Sequence, residues 1–136
     1  MKKKFYLMLV CGLFALGTSF AQTYKYQTTD FAYKYKNDYG VWTNWSEWEP
    51  SNMLVVLSLD RDILSIYSKE LQEYDIYDWG NGFENESDGG SSWHLRGVNR
   101  DGLRCGIRLR VQSDGQMQMY IDFSDFMWVY CVYRKN

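Results

Sequence analysis

The chain has 136 residues, a formal net charge of −2, aromatic residues at 18% and a single proline. That length makes one domain with a modest core, the acidity argues against a nucleic-acid partner, and a single histidine rules out a His-rich zinc site. Residues 1–21, MKKKFYLMLVCGLFALGTSFA, read as a secretory signal peptide: three lysines, an apolar run from Phe5 to Leu16, then Ser19 and Ala21 at the −3 and −1 positions. The apolar run is too short for a membrane span, and no later stretch approaches one. Cys11 follows Leu9-Val10, without the small residue of a lipoprotein signal, so no lipid anchor is expected. Cleavage near Ala21 takes the charge from −2 to −5 with the loss of three lysines, and leaves 22–136 as one exported domain, secreted or periplasmic.

From there on, segments alternate with period two and none holds a helical period for three turns, so an all-β domain is expected. In 24–35, Tyr24 and Tyr26 occupy one phase and Phe31, Tyr33 and Tyr35 the other, which predicts a bulge near Thr28-Thr29-Asp30. Segment 41–48 contains WTNWSEW; read as a strand, it puts Trp42 and Trp48 on one side and Trp45 on the other. The spacing resembles the tryptophan ladder of thrombospondin-type repeats. Those domains need several disulfides, which Cys105 and Cys131 do not supply, so that family is rejected. Segments 52–59, 63–68 and 71–78 are further strands. Glu47 with Glu49, and Glu73 with Asp75, share strand faces at the separation a glycosidase needs. Seventeen acids produce such pairs by chance, and solvated faces are expected.

Residues 78–90, DWGNGFENESDGG, are the one long irregular stretch. Glu84, Glu86, Asp88 and Gly89 imitate the first half of an EF-hand loop, but position twelve falls on Leu95, so no metal site is assigned and a solvated acidic tip is expected. Then come strands at 93–98, 103–111, 116–123 and 126–133. A three-residue loop at Arg100-Asp101-Gly102 places Leu95 opposite Ile107 on the apolar face and a glycine where a left-handed residue is needed. The same device at Ser113-Asp114-Gly115 pairs Val111 with Met117, Leu109 with Met119 and Ile107 with Ile121. A two-residue turn at Ser124-Asp125 pairs Phe123 with Phe126 and Ile121 with Trp128. In this register Cys105 faces in and Cys131 out, on strands that are not neighbours, which opposes a disulfide. The last strand is apolar in both phases, as a central strand or a partner interface would be.

Arg104, Arg108 and Arg110 form a basic stripe with Arg96 alongside and Tyr120 opposite Arg108, a solubilising face with cation–π contacts or a surface for anions and acidic glycans. His94 shares that outward face and lies opposite Arg108, a poor setting for a general base. No GxSxG, phosphate loop or dinucleotide fingerprint is present, so no catalytic residue, cofactor or enzymatic activity is assigned.

Gly40-Val41-Trp42 followed by Arg134 in the terminal strand resembles the lipocalin arrangement, in which a GxW packs beneath a basic residue of the last strand. Over most of its length the chain also resembles small secreted bacterial proteins of unassigned function, which implies a compartment and no mechanism. The expected fold is an antiparallel meander of eight to ten strands closed into a calycin-like barrel, with a two-sheet sandwich as the alternative. The expected function is binding of a small apolar or amphipathic ligand among Trp42, Trp93, Met117, Met119 and Trp128. The alternatives are a protein- or glycan-interaction module using Trp45, Trp79 and Tyr133, and, with least support, a small hydrolase.

Overall fold

A computed structural model describes residues 22–135; the signal peptide expected at 1–21 lies outside them. The described residues form ten strands and no helix: β1 (Thr23–Tyr35), β2 (Glu49–Pro50), β3 (Leu54–Ser58), β4 (Ile63–Tyr67), β5 (Leu71–Asp78), β6 (Glu84–Asn85), β7 (Ser91–Asn99), β8 (Arg104–Val111), β9 (Met117–Asp122) and β10 (Phe126–Lys135). Eight of them run in the order β10-β9-β8-β7-β5-β4-β3-β1, and β10 also pairs with β1. That last pairing closes the sheet into an antiparallel barrel of calycin-like shape and leaves no place for the sandwich. Closure removes the edges that an open sheet of this size would expose.

The hairpins follow the turn chemistry. Gly102 and Gly115 have φ of +82° and +88°, and the pairs Leu95–Ile107, Val111–Met117, Leu109–Met119 and Ile107–Ile121 all form. Phe123 donates its backbone N–H to the Phe126 carbonyl across Ser124-Asp125, and Trp128 lies opposite Ile121. The register of β1 against β10 shifts between Thr28 and Asp30. This bulge lets Tyr24, Tyr26 and Thr28 share the inner phase with Phe31, Tyr33 and Tyr35. Cys105 is buried and Cys131 half-buried, both free thiols.

Segment 41–48 departs from the expectation of a strand. Beyond the bulge β1 outruns β3, and residues 42–50 form a strap along its uncovered edge. Tyr33 and Tyr35 donate their backbone N–H groups to Ser46 Oγ and Thr43 Oγ1, and their carbonyls accept from the Ser46 and Thr43 backbones. Two residues of β1 are thus matched by three of the strap. The side chains therefore repeat every three positions, and Trp42 and Trp45 fall on the same side, both over the Lys34 ammonium. Strand alternation would have separated them. The strap also accounts for the doubly apolar last strand. Trp45 packs edge-on against Tyr120, and the neighbouring Val129 and Ala32 are only 3% and 2% exposed.

The middle of the barrel is solid. Val55, Leu57, Leu64, Ile66, Leu109, Met119 and Ile121 are fully buried, at the density that makes each methylene count. One end is plugged: Trp79 donates its indole N–H to Asp62 (2.7 Å), Trp93 donates to the Trp79 carbonyl (2.6 Å), and Trp93 packs on Trp79 and Phe83. The other end is where the turns after β4, β7 and β9 meet.

Candidate functional site

At that second end a cavity of about 780 Å³ opens to solvent. The β9–β10 turn brings Phe123 and Phe126 over Trp128, with ring centroids 5.6 and 5.2 Å from the indole. Tyr74 of β5 and the exposed side chains of Leu71 and Leu103 complete apolar walls. The aromatic floor follows from the tight turn: two inward residues, Phe123 and Phe126, are forced opposite each other just above the inward Trp128.

Polar groups are few and placed in two tiers. Below, the Tyr74 hydroxyl donates to Gln72 Oε1 (2.7 Å), and the Gln72 amide also bears on the Tyr130 hydroxyl. Burial pushes both tyrosine hydroxyls above their ordinary range, so they stay protonated donors at neutral pH. The Trp128 N–H is buried with no hydrogen bond of good geometry, its polar neighbour being the Tyr130 hydroxyl. Above, at the rim, Arg100 is held by Glu73 (3.4 Å) and Asp75 (3.0 Å), and Arg104 lies over the Tyr77 ring at 5.7 Å. The Glu73–Asp75 pair that glycosidase spacing singled out is thus tied to one arginine on a solvated face.

The residues expected to line a ligand site are dispersed. Trp128 alone borders the cavity. Trp93 belongs to the plug, Met119 to the solid middle, and Met117 packs against the core on the plugged side. Trp42 lies outside the barrel, with Lys34 and Lys36 each 5.3 Å from its ring, because the strap along the edge of β1 turns Trp42 and Trp45 onto its outer face. Arg134 stacks on Tyr24 at 4.5 Å, so the GxW–arginine contact of the lipocalin resemblance does not form. Trp45, Trp79 and Tyr133 occupy three separate places: the strap, the plug and the outer face of β10, and they make no common patch. Glu86 and Asp88 of the 78–90 loop grip Arg110 of β8 at 3.0 and 2.5 Å, and Glu86 also accepts from Ser92. A small strand, β6, forms there in place of the irregular tip, and these acids serve as an ion pair rather than turning together toward a cation.

Leu71, Leu103, Phe123 and Phe126 were not picked out as site residues. Their signal was present in part, since the turn register already faced Phe123 with Phe126. Which end of a meander stays open depends on how bulky side chains from distant loops meet. Fold and cavity together define a class: a small closed up-and-down barrel, plugged at one end and open to an aromatic-floored recess at the other. No protein-family model matches the chain, and neither a curated protein nor a solved structure is similar to it.

Proposed function

We propose that this is an exported binding protein that holds a small apolar or amphipathic ligand in the open mouth of its barrel. The observation that carries the reading is the aromatic-floored cavity of about 780 Å³ above an otherwise solid interior. That volume lies within the roughly 300–1,000 Å³ of small-molecule sites, which are likewise mostly apolar with a few placed polar groups. The apolar body of a ligand lies against Phe123, Phe126 and Trp128, and its polar end meets water and the charged rim.

The test is native mass spectrometry of the exported protein after gentle desalting, followed by titration with 1-anilinonaphthalene-8-sulfonate as an amphipathic probe. A bound mass in the lipid or metabolite range, or one probe site lost on Leu103→Asp and retained on Leu59→Asp at the plugged end, supports the reading. A bare mass together with a probe response indifferent to Leu103→Asp refutes it.

A further inference from the structure

On the outer face of the barrel, behind the β9–β10 wall of the mouth, cations and aromatic rings form one continuous series. Lys36 lies 5.3 Å from the Trp42 ring, Lys34 lies 5.3 Å from Trp42 and 4.7 Å from Trp45, Trp45 meets Tyr120 edge-on at 6.1 Å, and Arg108 lies 3.9 Å over Tyr120. The sheet register extends the strip. Lys34, Met127, Asp122, Gly106 and Arg96 form one outward row across β1, β10, β9, β8 and β7. Ala32, Val129, Tyr120, Arg108 and His94 form the next. Four strand spacings of about 4.8 Å make the rows about 19 Å long.

The charges of this strip are uncommitted. Among the described residues Arg100 and Arg110 are the cations with a carboxylate within 4.0 Å; Lys34, Lys36, Arg96 and Arg108 have none. Arg110, which the sequence stripe included, is withdrawn by Glu86 and Asp88, and Lys34 of β1 and Lys36 just beyond its end take its place. Gly106 leaves a gap in the first row, since a side chain there would meet only Asp122 at 3.8 Å. Asp122 is the acid within the strip. Burial raises its pKa against the pull of Arg108, Lys34 and His94, and one of its oxygens is buried without a partner. The rings between the charges are accessible, Trp45 being 39% exposed.

We infer that this strip binds an acidic polysaccharide of the uronate type, its carboxylates meeting Lys34, Arg108 and Arg96 and its sugar rings lying on Trp45 and Trp42. A line of separated cations matches a polymer with a charge on each repeat, and a partly exposed indole offers a flat apolar surface for the C–H face of a pyranose ring. The rest of the protein is acidic, so a polynucleotide, whose recognition draws on the charge of a whole surface, is disfavoured.

Polygalacturonate and its methyl ester, which share a backbone and differ in charge, are the probes, with binding to the purified protein read by titration calorimetry at low salt. Polygalacturonate is expected to bind and the ester not to. Arg96→Glu, at an exposed position with no carboxylate within 4.0 Å, weakens binding about five- to tenfold, with an unchanged thermal melt as the control for folding. Trp45→Ala weakens it about threefold or more and leaves retention on a plain cation exchanger unchanged. Phe126→Ala at the mouth has no effect. Equal binding of polygalacturonate by the protein and by Arg96→Glu, absence of binding, or tighter binding of single-stranded DNA would each overturn the inference.

Discussion

Replacing Met119 with alanine tests whether the middle of the barrel is solid, on which the position of the cavity depends. Met119 is 0% exposed and lies between Leu109 of β8 and Tyr130 of β10. Losing the burial of most of its side chain costs about 1.5–2 kcal/mol. A residual void on the order of 70 Å³, at about 24 cal/mol per Å³, adds about 1.7 kcal/mol. Together these give about 3–4 kcal/mol, or a fall in melting temperature of about 10–20 °C for a domain of this size. Phe126→Ala at the mouth removes a ring that already borders solvent and is expected to cost less than about 1.5 kcal/mol. Urea unfolding followed by tryptophan fluorescence measures both, with an unchanged denaturant slope as the control. A Met119→Ala cost below about 1 kcal/mol would mean that the recess continues through the barrel, and the division into solid middle and open mouth would be wrong.

Three more outcomes follow from groups described above. Gly80→Ala would place a Cβ 2.2 Å from the His94 carbonyl oxygen at a residue with φ of +61°, so a loss of about 3 kcal/mol or more is expected in the same unfolding assay. Stability should fall as pH rises above about 9. Burial raises the Cys105 thiol to about 11 and lifts Tyr26, Tyr74 and Tyr130 above their ordinary range, so the unfolded chain loses protons first and is favoured. A flat profile between pH 8 and 11 in thermal melts would contradict that sign. Arg110→Ala should free residues 84–90 to limited proteolysis while leaving the barrel folded. Acid should do the same, because hydrogen bonds from Ser92 and Gly90 and the Arg110 charge hold Glu86 and Asp88 below their usual pKa; their contribution is present above the ordinary carboxylate range and is lost as pH falls through the depressed values.

The barrel was legible because its hairpins are encoded locally. Gly102 and Gly115 fix two turns, and each turn sets the inward phase of the strands it joins. The bulge at Thr28-Thr29-Asp30 was legible for the same reason, as a slip in phase along a single strand. The strap was not. Its path is set by the uncovered edge of β1, and nothing within WTNWSEW indicates that Thr43 and Ser46, three residues apart, will accept from the amides of Tyr35 and Tyr33, two apart. The candidate ligand residues went astray through the third dimension. Trp93, Met117 and Met119 do face inward, as alternation requires, but inward positions at the plug and the middle are filled by side chains from across the barrel. The indole plug joins Trp79 and Phe83, from an irregular stretch, to Trp93, from a regular strand, and no periodicity relates them.

The pairing of β1 with β10 joins residues about a hundred positions apart in the chain. Every other strand pair of the barrel can form as soon as its own hairpin or short connection exists, whereas the seam waits for the last strand. Closure is therefore the slow, non-local event of folding, and until it happens β1 presents the Tyr-rich inner face of an open sheet, with one unpaired edge. The bonds from Thr43 and Ser46 protect the opposite edge of β1 in the meantime. A circular permutant that links residues 25 and 135, which already face each other across the seam, and opens the chain at the Ser113-Asp114-Gly115 turn would turn the seam into a hairpin and move the long-range step to β8 and β9.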